Sequence, residues 1–225
     1  MFDPTIASYF INPVHVALSG KTVSLINPAT LDKVGVYGAP DGALIDRILT
    51  RVNAAQAGWA ATDCKSRAKV LHRIADAIEH SDMTQVARLM TLDTGKPSPE
   101  SLGEIANSPA VFRYYAELAR HDAGKIAGPM QPGSFQYQTY EPYGVSVHIV
   151  PYNFPLILGC WTIAASLAAG NGVVLKASPA GTLCTMEFMQ YFSALPDDLI
   201  ACLPGDGAVG KHLIDSKLTH AVAFT

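Results

Sequence analysis

Apolar residues in the first half of the chain recur at the three- and four-residue spacing of helices buried along one side. Leu44, Ile45, Ile48, Leu49 and Val52 form one such stripe, opened by Asp41, a residue type suited to cap a helix. Val70, Leu71, Ile74, Ala75 and Ile78 form another, which predicts a helix from about Ser66. Asp82 and Gln85 have the spacing of a capping box for a third helix, ending near Thr94-Gly95-Lys96-Pro97. A fourth helix is predicted from about Glu100 to Arg120. Ahead of them, Val23 to Ile26 reads as a short strand running into a turn at Asn27-Pro28-Ala29-Thr30.

The period then changes. Phe135 to Tyr140 alternate as a strand does, and the glycines from Gly124 to Gly133 suggest a hairpin. From Gly144 onward, short apolar runs near Val145–Val150, Val173–Lys176, Leu199–Leu203 and Ala221–Phe224 alternate with helical segments. Those segments lie near Pro155–Ala169, Thr182–Ala194 and Ala208–Asp215. Apolar strands separated by helices imply a parallel sheet covered on both faces. Right-handed crossovers make it doubly wound, with ligands bound at the carboxyl ends of the strands. The fold class is therefore α/β, a helical layer followed by a doubly wound parallel sheet.

Within this pattern the run from Tyr143 to Leu175 stands apart: 33 residues without Asp, Glu, Lys or Arg, then a lone Lys176. Inside it lies Pro151-Tyr152-Asn153-Phe154-Pro155. Leaving an amide unpaired in an apolar setting costs a few kcal/mol, so either the fold or a ligand uses Asn153. One reading makes it the cap of the following helix, with Pro155 in the first turn. The other makes it a donor to a developing oxyanion. The helix itself, about 15 residues at ~1.5 Å each, falls short of the ~30 Å hydrocarbon core and reads as a buried helix.

Composition narrows the function. The chain is 49% hydrophobic and 16% charged, with a net charge of −3 and no block of like charge. Nothing recruits nucleic acid or a membrane surface. Met1-Phe2-Asp3-Pro4 has no basic region and no long apolar run follows, so a cytoplasmic location is expected. The cysteines Cys64, Cys160, Cys184 and Cys202 are widely spaced and read as reduced, mostly buried thiols. No His/Cys/Asp/Glu cluster has metal-ligand spacing, and His148 reads as a core or sheet-face histidine.

Gly205-Asp206-Gly207-Ala208-Val209-Gly210 is a literal G-x-G-x-x-G between a strand and a helix, able to cradle a pyrophosphate. The acidic residue that completes the dinucleotide fingerprint would lie past Thr225, so a plain tight turn is the competing reading. Lys176, at a strand end, is placed to donate to a ribose hydroxyl or a phosphate; the bland alternative is a snorkelling lysine.

These residues, taken together, resemble the aldehyde dehydrogenase superfamily. The resemblance runs through Ile26-Asn27-Pro28-Ala29-Thr30, Leu92-Asp93-Thr94-Gly95-Lys96-Pro97 and Phe112-Arg113-Tyr114-Tyr115-Ala116. It continues through Glu141 to Val145, Pro151 to Pro155, Leu167 to Lys176 and Val222-Ala223-Phe224-Thr225. It implies a Rossmann-like sheet, NAD or NADP as cofactor, and oxidation of an aldehyde substrate to an acid. It also implies a homo-oligomer in the full-length form, with Lys125 to Tyr140 resembling the hairpin of the oligomerisation domain. The regions implied are 1–123 (helical layer and first part of the cofactor domain), 124–142 (hairpin) and 143–225 (Rossmann-like core). By resemblance, Asn153 holds the oxyanion of the thiohemiacetal and Lys176 the adenosine ribose. Ile149, Val150, Pro151, Tyr152, Ser178, Pro179, Gly205, Gly207, Phe224 and Thr225 line the cofactor cleft. Leu158 and Trp161 wall the substrate tunnel.

There are departures. Tyr152 replaces the family's usual Trp, and Thr162 stands where a lysine is common. Pro179, preceded by Ser178, replaces the glutamate that grips the ribose in many NAD-preferring members, which leaves room for NADP. The family's Gly-Ser pair, general-base glutamate and nucleophilic cysteine correspond to positions beyond Thr225. The expectation is a cofactor-binding portion without turnover of its own, with Cys160 beside Trp161 the one candidate substitute thiol. The rival expectation is a natural non-catalytic module that binds nucleotide or assembles with longer subunits.

Overall fold

A computed structural model describes residues 2–121 and 124–225. The boundary expected after residue 123 adjoins positions 122 and 123, which lie outside the described residues. Two strands, β1 (Ser8–Ile11) and β2 (Val14–Ala17), precede a separate antiparallel pair, β3 (Thr22–Ile26) and β4 (Lys33–Gly38). Four helices follow: α1 (Gly42–Ala60), α2 (Cys64–Glu79), α3 (Thr84–Thr94) and α4 (Ser98–His121). The hairpin β5 (Lys125–Ala127) and β6 (Gln136–Gln138) leads to the alternating unit. That unit is β7 (Val145–Ile149), α5 (Ile157–Ala168), β8 (Gly172–Lys176), α6 (Thr182–Phe188), β9 (Ile200–Leu203), α7 (Gly207–Asp215) and β10 (Ala221–Phe224).

The main sheet has the order β10-β7-β8-β9-β1-β2. β10, β7, β8 and β9 are parallel, as the strand–helix alternation predicts. β1 then adds antiparallel to β9, with Phe10 opposite Cys202, and β2 pairs antiparallel with β1. The hydrophobic pattern did not single out these two strands. Ser8–Ile11 is too short to show a period, and β2 is half exposed.

The two faces of the sheet sort the core. Val145, Val147, Ile149, Val174 and Leu203 pack with the Ile45–Val52 stripe of α1 and with Val209 and Leu213 of α7. Val173, Leu175 and Cys202 point the other way, against α5, α6 and the layer built from α2, α3 and α4. Consecutive strand residues alternate sides, so strands buried on both faces read as unbroken apolar runs. β8 does so from Gly172 to Leu175, whereas the equally buried β7 interleaves Ser146 and His148 with its apolar residues.

α1 and α2 start on local side-chain caps, whereas α3, α5 and α6 do not. Asp41 caps α1 by accepting from Leu44 N, and Asp63 caps α2 by accepting from Ser66 N. The capping box expected at Asp82 and Gln85 does not form. Met83 is the N-cap and makes no side-chain cap bond, while Asp82 accepts from Thr84 N at 2.9 Å. The bond closes a tight turn just ahead of the helix. Gly95 ends α3 in the left-handed conformation, φ 77°, as its place after Thr94 predicts. No helix among the described residues is long and apolar enough to cross a membrane.

Candidate functional site

The chain runs from β7 outward through β8 to β9, then returns to the other side of β7 as β10. This reversal is a topological switch point, where open α/β sheets leave a crevice beyond the carboxyl ends of the strands. The parallel register brings those ends level: Ile149 pairs with Lys176 and with Phe224, and Lys176 pairs with Leu203. The loop after each strand therefore opens on one edge. Val150, Pro151, Tyr152 and Asn153 follow β7, Ser178 and Pro179 follow β8, Gly205 and Gly207 follow β9, and Thr225 follows β10. Thr225 N donates to Ile149 O at 3.1 Å, which ties the last loop to the first. All the residues expected in the cofactor cleft lie along this edge.

Lys176 is 7% exposed and its Nζ donates to Gly205 O at 3.3 Å. Burial lowers its pKa, opposed by the charge of Asp206. Gly205 has φ +148°, and a Cβ there would sit 2.5 Å from Val209 Cγ2. A Cβ on exposed Gly207 would meet nothing within 4 Å. The turn is thus tight at its first glycine and open at its second. Asp206 accepts from Ala208 N at 2.9 Å and so caps α7 with its own carboxylate. That bond takes up one N–H of the helix N-terminus from within the glycine turn itself.

Asn153 is exposed and caps nothing. The N-cap of α5 is Leu156, without a side-chain cap bond of its own. The capping reading fails because another residue takes the job. The Glu104 carboxylate, projecting from α4, accepts from Leu156 N at 2.8 Å and Ile157 N at 3.1 Å. Glu104 is paired in turn with Lys96, and both side chains are buried (0% and 8% exposed). The Lys96 ammonium also lies 3.8 Å from the centre of the Phe154 ring. Asp93 plays the same part for α6: its Oδ2 accepts from Leu183 N at 2.7 Å. A Cβ on Gly181 would meet Pro155 Cβ at 3.2 Å and Tyr152 Cα at 3.7 Å, so the loops ahead of α5 and α6 touch.

Lys96 and Asp93 were visible only as parts of a motif, and Glu104 was not singled out. The signal was present: Ser101, Glu104, Ile105, Ser108 and Phe112 form the buried stripe of α4, and Glu104 is the carboxylate on it.

Trp161 is half exposed and lines a groove between α4 and α5, together with Glu104, Asn107, Val111, Phe154 and Ile157. Leu158, half buried, is not among the walls of that groove. Thr162 bonds back to Gly159 O within its own helix at 3.2 Å.

Of the cysteines, Cys64 is exposed and the other three are buried. Burial pushes the Cys160 and Cys202 thiols up to about 12 and the Cys184 thiol well above its ordinary value. A nucleophile must reach the thiolate, so Cys160 is a core thiol and not a substitute nucleophile. His148 is buried, with Nε2 2.9 Å from Ser146 Oγ, and burial pushes its imidazole down to about 4. It is a neutral core histidine, as expected. Asp76, Glu79 and His80 lie close together on the surface, but Arg113 already bridges both carboxylates.

Known proteins share this fold. The sequence model of the aldehyde dehydrogenase family matches residues 15–225. A structure of aldehyde dehydrogenase from Bacillus cereus, solved with NAD+, superimposes with a TM-score of 0.90 at 31% identity, covering 98% of this chain and 46% of that one. Betaine aldehyde dehydrogenase from Staphylococcus aureus, also solved with NAD+, gives a TM-score of 0.90 at 29% identity, covering 98% of this chain and 44% of its own. The chain thus spans about half the length of the solved structures it matches. It belongs to the aldehyde dehydrogenase family.

Proposed function

We propose that the chain forms the cofactor-binding and oxyanion-donating part of an NAD(P)-dependent aldehyde dehydrogenase, which oxidises an aldehyde to a carboxylic acid. One observation carries this reading. The ends of β7, β8, β9 and β10 lie level at a switch point, with buried Lys176 and open Gly207 on one side and exposed Asn153 on the other.

On this reading Lys176 Nζ donates to the adenosine ribose, beside the space left by Gly207. Ile149 to Tyr152, Phe224 and Thr225 supply backbone and apolar surface along the cleft. Bound NAD(P) supplies the hydride acceptor. Asn153, free of any capping duty, donates its side-chain N–H to the oxygen that gains charge when a thiol adds to the aldehyde carbonyl. Phe154 and Trp161 wall the approach and exclude water, with Leu158 behind them. Pro179 puts no carboxylate against a 2′-phosphate, so both NAD and NADP are bound. The cytoplasm is the proposed location.

The chain alone is proposed to bind nucleotide without turning over aldehyde, since its buried thiols are held protonated. Calorimetric titration of the 225-residue chain with NAD+ and NADP+ tests the binding. Lys176→Met should weaken it about 10- to 100-fold, the value of a charge-assisted hydrogen bond. A folded chain that binds neither nucleotide at millimolar concentration overturns the reading. So does steady NADH production, sensitive to Cys160→Ser, on adding an aldehyde.

A second reading has its own observation. Ile126, Met130, Phe135 and Tyr137, in and around the β5–β6 hairpin, are 69–80% exposed. Such a surface suits association, as a homo-oligomer or as a non-catalytic module on longer subunits. A native species of intact mass 23.9 kDa that co-purifies with longer family members would favour the module.

A further inference from the structure

α5 is the helix that Asn153 precedes, and no local side chain caps the N–H groups of its first turn. Helix N-termini leave such groups unsatisfied, and a carboxylate is the strongest neutral-pH partner for them. Here the carboxylate comes from 52 residues away in sequence, on a different layer of the fold. It is single-sided: one oxygen, Oε1, takes both Leu156 N and Ile157 N, while Oε2 takes Lys96 Nζ. Lys96 then places its ammonium over the Phe154 ring. Two separate contacts from one ion pair therefore bracket the Asn153–Phe154 elbow, the ring on one side and the helix start on the other. Pro155, packed against Gly181, closes the remaining direction.

We infer that Glu104, charge-paired with Lys96, is a positioning residue for Asn153: it caps α5 from the helical layer and thereby leaves the exposed Asn153 amide free of a capping role. Glu104 itself touches no reacting atom. The inference rests on the proposed oxyanion role for its meaning, though its geometry stands apart from it. It explains why the asparagine, whose residue type favours capping, does not cap: the amides it would take are already taken. Replacing Glu104 frees those amides, and Asn153, in the loop just ahead of α5, becomes available to accept from them.

The test is made by NMR on the 15N-labelled 225-residue chain. Glu104→Leu should speed amide exchange at Leu156 and Ile157 at least tenfold more than at Val174 and Leu175 in β8. It should also shift the Asn153 side-chain NH2 resonance while leaving that of Asn171, whose Oδ1 accepts from Gly144 N at 3.0 Å. A loss of stability alone would move both asparagines and all four amides together. Glu104→Gln, which keeps an acceptor but loses the charge, should lie between Glu104→Leu and wild type. Lys96→Met should move Asn153 in the same direction, and these two variants decide the matter if Glu104→Leu does not fold. Equal effects on Asn153 and Asn171, or no selective exchange at Leu156 and Ile157, overturn the inference. The oxyanion reading fails differently: the Asn153 resonance would ignore added carboxylate product while the Glu104 results held.

Discussion

Asp93 should make the protein lose stability as pH rises through neutrality. It is 5% exposed; Oδ2 accepts from Leu183 N, while Oδ1 is buried without a partner. Burial pushes its carboxyl up to about 7 from an ordinary 3.8, only partly offset by the backbone bonds from Leu183 and Cys184. Between those values the folded state keeps a proton that the unfolded chain has released. The stabilisation is fully present below about pH 4 and is lost as pH rises to about 7. The whole gap is worth roughly 4 kcal/mol, and linkage places about 2.5 kcal/mol of it between pH 5 and pH 8. Asp93→Asn keeps an acceptor for Leu183 N and removes the titration. Urea unfolding of both proteins at pH 5, 6, 7 and 8 isolates the group, because every other titration cancels in the difference. The stability of wild type relative to Asp93→Asn should fall by about 2.5 kcal/mol from pH 5 to pH 8. Parallel pH profiles for the two proteins would refute the argument.

His148 works at the other end of the scale. Its imidazole, pushed down to about 4 from 6.5, gives stability that is present above pH 6.5 and lost as pH falls towards 4. Replacing it with Gln should flatten that acid limb by up to about 3 kcal/mol in the same urea assay. Gly205→Ala should destabilise by more than about 1 kcal/mol, since the new methyl meets Val209 in a left-handed backbone. Gly207→Ala should leave the melting temperature unchanged and weaken nucleotide binding, because only a ligand fills that space. Native protein treated with a chromogenic disulfide should react rapidly at one thiol of four, Cys64, and at the rest only on unfolding. Pro179→Glu should raise the ratio of NAD to NADP affinity in paired titrations, by placing a carboxylate against the 2′-phosphate.

Sequence periodicity carries the strands of the alternating half to within about a residue, while the helix expected at Thr182–Ala194 ends at Phe188 and tightens into a 3-10 turn over Met189–Phe192. β8, expected at Val173–Lys176, spans Gly172–Lys176, a buried run that is apolar up to the lysine that ends it. The first 38 residues were less legible. β1 is four residues long and gains its place from pairing with β9, a contact no local pattern encodes. The same division runs through the site. Lys176 and the glycine turn were readable because each sits beside its own strand. Asn153 was readable as a residue but not as a conformation, since whether it caps depends on Glu104. A charged residue on an otherwise buried helical stripe is the mark that such a long-range partner leaves in a sequence.

The place of β1 also sets an order of events during folding. Phe10 pairs with Cys202, so the strand that extends the sheet beyond β9 is made well before β9 itself. Before β9 exists, β1 has only β2, and an isolated two-stranded hairpin is marginal in water. The opening segment must therefore wait until the third strand of the alternating unit has emerged. Loop closure across nearly the whole chain is a slow kind of contact to make. Until β1 and β2 dock, the β9 edge stays open, and an open strand edge is where a newly made chain can pair with the wrong neighbour.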